Sequence, residues 1–421
     1  MKTFGNIFMK SFGKLFMAAV VAAGVGAFTA CSSDKLGDTI FDTAEYELDS
    51  TAYTYPLDRF VEENFRIPYN MRFLYRFQDV GSDMDYNLTP CSYDQSINLA
   101  VMCKYLWYDV YKTCVGDEFL KKYSPRVIQV IGSPAYNPSS GTIKLGTAEG
   151  GLKITLYMAE ELRPNSIDSL NEYFFKTMHH EFSHILHQNI NIPTDFNLIS
   201  AGTYNATSWQ DTPDSVAVSR GFTSPYASSQ LREDFVETIA NYIVKDTLSW
   251  RRLLNTARAN WELADDVDAT YWYRLDRKVQ QGLAHRDTVG YFVKIASYSN
   301  GEASTLSIQR KAVQRDSLKY AVTDPSGNYI PVPSPGDMTG EQILLKKLSM
   351  VKEWLRSNYN YDLDSVRMMV QRRQYVTDEN GNFVLDSKGN FINALTYQRA
   401  DGTTLLDELR QWVLKYKREN E

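Results

Sequence analysis

Between Tyr93 and Thr113 apolar residues recur at helical spacing. Leu99, Met102, Leu106, Trp107, Val110 and Tyr111 fall together, which predicts a core helix with Trp107 inside it. Earlier, Leu57 to Phe65 has the spacing of a short helix and Met71 to Phe77 alternates like a strand. Val127 to Ile131, Ile143 to Leu145 and Leu152 to Tyr157 are further strand patterns, the last preceded by Gly150-Gly151 and followed closely by a long helical stretch. That stretch opens at Pro164-Asn165-Ser166, where Ser166 or Asp168 can cap free backbone N–H groups. It carries Leu170, Phe174 and Phe175, meets no breaker before Gln188 and is stopped by Pro193. Asn189 to Gln230 is polar and long enough that a cleft-shaping or lid-like part is expected of it, with Trp209 and Phe222 read first as packing.

A second amphipathic helix runs from Arg232 to Ile243, with Phe235, Ile239, Tyr242 and Ile243 along its apolar stripe. Beyond it, Leu248 to Ala264, Tyr271 to Leu283, Gly340 to Ser357 and Thr404 to Lys417 read as helices, and Ser365 to Val370 reads as a strand. Turn signals at Asp378-Glu379-Asn380-Gly381-Asn382 and Asp386-Ser387-Lys388-Gly389-Asn390 predict a hairpin or meander. No internal repeat is read. The sum is an α+β chain, with a mixed sheet ahead of two helices and a mostly helical C-terminal region.

The N-terminus stands apart from this pattern. Lys2, Lys10 and Lys14 precede an apolar run from Leu15 to Phe28, short for a bilayer core of about 30 Å, and Thr29-Ala30-Cys31 follows at once. Small residues before a cysteine resemble a bacterial lipobox, although Phe28 stands where leucine is usual. Residues 1–30 are therefore expected to be a lipoprotein signal peptide, Cys31 the lipid-modified first residue and 31–53 a flexible tether. Residues 54–300 would then form the main domain and 301–421 a helical region with a hairpin. Removing residues 1–30 leaves 391 residues and takes away three lysines and no acid, so the net charge falls from −6 to −9. An acidic chain without a basic block argues against nucleic-acid binding, which depends on neutralising phosphates. Cys91, Cys103 and Cys114 remain, an odd number that allows at most one internal bridge, and Cys103 and Cys114 read as buried free thiols.

The chemistry concentrates in the long helix. His180 and His184 are four apart, with Glu181 directly after the first. Residues four apart share a helix face with Cβ atoms roughly 5–6 Å from each other, so both imidazoles can reach one zinc at about 2.0–2.1 Å. A carboxylate at Glu181 would point to the open side of such an ion and could accept a proton from its water. His179 lies about 100° round the helix and is read as structural. His187, a turn beyond His184, could face the same side, or simply hydrogen-bond within its helix. His285 is given no site role.

A third ligand is expected from the second helix, where Glu233 and Glu237 share a face. Two acids on a half-buried face are costly without a cation. Glu233 is assigned as the ligand and Glu237 as the group holding a ligand histidine by its other nitrogen, with the reverse assignment open. A solvated acidic helix start would explain Glu233 and Asp234 equally well.

The histidine helix followed by Glu-x-x-x-Glu resembles the gluzincin metallopeptidases, in a lethal-factor-like form in which a tyrosine precedes the ligand glutamate by seven residues. Tyr226 is in that place here. Carried over by resemblance, its hydroxyl would steady the oxyanion or protonate the leaving group. Over most of the mature chain the sequence also resembles a Bacteroidetes family of zinc-binding lipoproteins, described as substrate-import-associated zinc metallohydrolases. Arg66-Ile67-Pro68-Tyr69-Asn70, Leu145 to Gly151, Gly221-Phe222-Thr223-Ser224-Pro225-Tyr226 and Glu233-Asp234-Phe235 carry that likeness. The resemblance implies a zincin-like domain with one zinc per chain and a peptide or protein substrate. It also implies an outer-membrane anchor through Cys31 and a TonB-dependent import complex as partner, facing either the surface or the periplasm. A catalytically silent binding or assembly lipoprotein on the same scaffold is the alternative.

Overall fold

Ser92 caps a helix that begins at Tyr93 by accepting the Gln95 N–H. This helix, α1 (Tyr93–Cys103), continues through a π-helical turn (Lys104–Tyr108) into a further helical stretch (Asp109–Cys114). The six residues that predicted it are all buried, Trp107 among them, against Tyr108, Tyr111 and Phe182. The computed structural model describes residues 48–77, 86–136, 143–144, 146–149, 153–258, 261–263, 293–299, 302–308, 312–314 and 338–419. The expected signal peptide, Cys31 and the tether up to residue 47 lie outside the described residues, as do Gly150-Gly151, the expected helix Tyr271 to Leu283, and His285.

A small four-stranded sheet supports the site. Its strands are β1 (Arg72–Leu74), β2 (Val127–Val130), β3 (Gly146–Glu149) and β4 (Lys153–Leu156). They lie in the order β1-β2-β4-β3, with β1, β2 and β4 parallel and β3 antiparallel at the edge. The parallel pairing needs crossovers, and α1 with its extension lies between β1 and β2 in sequence.

The next helical run starts at Ser166, which caps it by accepting the Ser169 N–H. It passes through Ile167–Leu170 and a π turn at Asn171–Phe175 into α2 (Lys176–Asn189). α2 is buried nearly all round and packs on β3, β4 and α3 (Leu231–Val244). Three C-terminal helices complete the same core: α4 (Gly340–Tyr359), α5 (Leu363–Gln374) and α6 (Leu405–Leu414). α4 and α5 pack against α3, and α6 packs against α1.

Several expectations are corrected. Ser365 to Val370 is helical rather than extended: Leu363, Val366, Val370, Gln371 and Gln374 are buried, a helical rather than an alternating spacing. The helix expected over Leu248 to Ala264 is Thr247–Arg258; Trp261–Leu263 is a strand paired with Ala312–Gln314, a partner that local periodicity cannot reveal. Strands Val293–Ser299 and Glu302–Ile308 also pair, where the sequence pattern predicts no particular element. Two turns eight residues apart share one design, so a short internal repeat is present after all. Asp378 accepts the Asn380 and Asn382 N–H groups, Asp386 accepts those of Lys388 and Asn390, and Gly381 and Gly389 take φ of 79° and 80°. All three described cysteines are free.

One ion pair ties the C-terminal helices to α3. Lys347 Nζ of α4 lies 2.7 Å from Asp234 Oδ2, both side chains are wholly buried, and Tyr204 Oη donates to the same oxygen. The same ammonium donates to the Gly221 carbonyl at 2.8 Å and sits 4.0 Å from the Phe222 ring centre. Gly221 has φ 85°, and a Cβ there would meet Ile343 of α4 at 2.2 Å, so only glycine lets the loop approach this closely. Removing one charge of a buried pair leaves the other uncompensated, at roughly 3–5 kcal/mol. Lys347→Met should lose that much stability in urea titrations, while the double variant Asp234→Asn/Lys347→Met should lose clearly less. Equal losses would show that the two charges are not coupled.

Candidate metal centre

α2 and α3 face each other with His180 opposite Glu237 and His184 opposite Glu233. The Nε2 atoms of His180 and His184 are 3.1 Å apart, and Glu233 Oε2 is 3.1 Å from the first and 3.3 Å from the second. Zinc bonds of about 2.0–2.1 Å directed to tetrahedral corners place neighbouring donors roughly 3.3–3.4 Å apart. The three donors therefore fit one ion with a fourth corner left over. Glu233 Oε2 is buried and accepts no hydrogen bond of good geometry, as expected of an oxygen aimed at a shared point rather than at a proton. Among the described residues this trio is the set of His, Cys, Asp and Glu side chains with such convergence.

The groups behind the donors are ordered too. Glu237 Oε1 is 2.9 Å from His180 Nδ1. Its other oxygen accepts Ser224 Oγ at 2.5 Å and Asn241 Nδ2 at 2.9 Å. Ser224 also accepts the Ala227 N–H, so the short turn Tyr226–Ser228 is pinned to the carboxylate that holds His180. On the other side, His184 Nδ1 is 2.8 Å from His187 Nε2. Gln230 donates to the remaining oxygen of Glu233 at 3.3 Å.

The electrostatics describe a site that wants a cation. Burial alone would depress the His180 imidazole, yet the Glu233 and Glu237 carboxylates beside it lift it to about 10. Burial would raise Glu233, yet the two imidazoles beside it pull it well below the usual carboxylate range. Glu237 is likewise buried but is drawn down to about 2, with Lys176 and His180 the main opposing charges. Glu181 shifts the other way: burial, with the nearby charges of Glu233 and Glu237, outweighs the downward pull of His180 and His184 and raises its pKa. Burial, then the charge of Glu233, raises Tyr226, which keeps its proton. His187 is lowered to about 4 by burial and His184.

These residues line one cleft of about 1210 Å³, shared by His180, Glu181, His184, His187, Tyr226 and Glu233. Tyr226 is 37% exposed, its ring 5.8 Å from that of His180 and 4.9 Å from Trp209. Trp209 thus borders the cleft, whereas Phe222 is core. The polar segment 189–230 does form a wall of the cleft, through Trp209, Thr212, Ser215 and Ser224. His179 points away into the core, 2.9 Å from Tyr111 Oη, and burial lowers it to about 3. Sequence reasoning passed over Asn241, Ser224 and Lys176. Asn241 continues the four-residue spacing of Glu233 and Glu237, and Lys176 precedes His180 by the same step, so helical periodicity could have found both.

Residues 50–364 match a family described as "putative zinc-binding metallo-peptidase". A solved structure, the crystal structure of a putative zinc-binding metallo-peptidase from Bacteroides caccae ATCC 43185, is similar at 30% identity and a TM-score of 0.51. The similarity covers 80% of this chain and 95% of that one. No curated protein matches the chain.

A ligand that binds only the folded state stabilises it, by about 2.7 kcal/mol at a hundredfold excess over Kd. Chelator treatment should therefore lower the thermal unfolding midpoint and zinc should restore it, whereas His184→Ala should bind no stoichiometric zinc and show no zinc-dependent shift in calorimetry. An unchanged shift in that variant would remove His184 from the metal centre.

Proposed function

The chain belongs to this metallo-peptidase family, and from that premise we propose that it hydrolyses amide bonds in peptides, with zinc held by His180, His184 and Glu233. The observation that carries the proposal is the convergence of those three donors, at 3.1 to 3.3 Å, beside a carboxylate raised by burial. A bound zinc supplies Lewis acidity, which polarises a carbonyl and acidifies water toward a pKa of about 7. Glu181 takes the proton of the attacking water as its oxygen bonds to the carbonyl carbon, and passes that proton to the nitrogen as the C–N bond breaks. Tyr226, kept protonated, donates a hydrogen bond to the oxygen that gains negative charge. Glu237 fixes the ring of His180.

The cleft supports an extended substrate. Its volume of about 1210 Å³ exceeds the roughly 300–1,000 Å³ typical of small-molecule sites. β3 packs near α2, pairs with β4 on one side, and has no other strand partner among the described residues, so it offers backbone groups to an extended peptide. The reading of residues 1–31 adds a lipid anchor at Cys31, hence an outer-membrane address, and the family likeness adds an import complex as partner.

Glu181→Gln should keep one zinc per chain and lose roughly 10²–10⁴-fold in kcat on a fluorogenic peptide library, and Tyr226→Phe about 10²–10³-fold. Full turnover by Glu181→Gln would take it out of the chemistry. Cys31→Ser should move the protein from membrane to soluble fractions on cell fractionation; unchanged membrane association would exclude the anchor.

A further inference from the structure

The helix that supplies both imidazoles carries another, His187, which lines the cleft but has no part in the mechanism above. Its Nε2 lies 2.8 Å from Nδ1 of His184, with the ring centres 5.0 Å apart and the planes at 72°. The position of one proton between these nitrogens decides what His184 can do. When His184 Nδ1 is the donor, its Nε2 holds a free lone pair, and Nε2 is the atom that faces His180 and Glu233. Were His187 the donor to a neutral His184, the Nε2 of His184 would carry a hydrogen and point it at the ion.

We propose that His187 is the positioning residue of His184: its Nε2 accepts the Nδ1 proton, fixing the tautomer and ring plane that present Nε2 to zinc. The inference rests on the zinc reading but concerns metal binding alone. It gives the two ligand histidines unlike supports. His180 is backed by a carboxylate, Glu237, at 2.9 Å, and His184 by an uncharged ring. Glu181, Glu233 and Glu237 already bring three carboxylates to this centre. An uncharged acceptor orients the second imidazole without adding a fourth, and so without further reducing the positive field that a substrate carbonyl meets.

The test is zinc affinity of the full chain by chelator competition, with the visible spectrum of the cobalt-substituted protein, in His187→Ala, His187→Leu and His187→Gln. Ala and Leu should weaken zinc about 10–100-fold and alter the cobalt spectrum. Gln, whose amide oxygen can accept the same proton, should recover most of the affinity and a wild-type spectrum. Wild-type affinity and spectrum in His187→Ala would overturn the proposal. Equal losses in Leu and Gln would also overturn it, since packing alone would then explain the effect, and this comparison decides if the Ala variant does not fold. An unsubstituted chain that takes up no zinc would overturn the zinc reading as well, so the two failures are told apart by the wild type.

Discussion

Buried carboxylates gathered beside neutral imidazoles between two helices are costly unless a cation joins them. That constraint organises this protein. α2 and α3 could have met through apolar side chains at far lower cost, yet they place Glu233 Oε2 within 3.1 to 3.3 Å of two imidazole nitrogens. A tetrahedral divalent ion is the economical resolution, and the ordered surroundings of the donors follow from it. Each ligand nitrogen must be presented in one tautomer, so each opposite nitrogen needs a partner, and those partners need support in turn.

The support reaches outward in connected steps. Glu237 is held by Ser224 and Asn241, and Ser224 fixes the turn that carries Tyr226. Asp234, next to Glu233, is held by Lys347 from a distant helix, and that ammonium also grips the Gly221 carbonyl at the start of the Tyr226 loop. The ligand helix and the loop over the cleft are therefore pinned by one buried charge. Glu181 is left outside these hydrogen-bond networks, and burial outweighs the pull of His180 and His184 on its carboxyl.

Much of this centre was legible in the sequence because helical spacing is local. His180, Glu181 and His184 needed only a four-residue step, and Glu233 and Glu237 needed the cost of buried acids to single them out. What stayed hidden depends on tertiary contact. The strand Trp261–Leu263 exists through its pairing with Ala312–Gln314. In α5, Val366 and Val370 suggest a strand by residue type, whereas the helical spacing of the buried positions is the better guide. Lys347 gave no sign at all, since a lysine on an amphipathic helix is ordinarily solvated. The twin aspartate turns were visible as turns, and their shared Asp-x-x-Gly-Asn-Phe pattern corresponds to the matching N–H groups that each aspartate accepts.

The Lys347 bond to Gly221 spans 126 residues. A ribosome must therefore finish nearly the whole polypeptide before Asp234 receives its counter-charge and the neighbouring ligand helix can settle. A half-made or truncated product ending ahead of α4 would carry every residue of the candidate metal centre and still lack its brace. In such an arrangement the centre gains its brace only once synthesis is nearly complete.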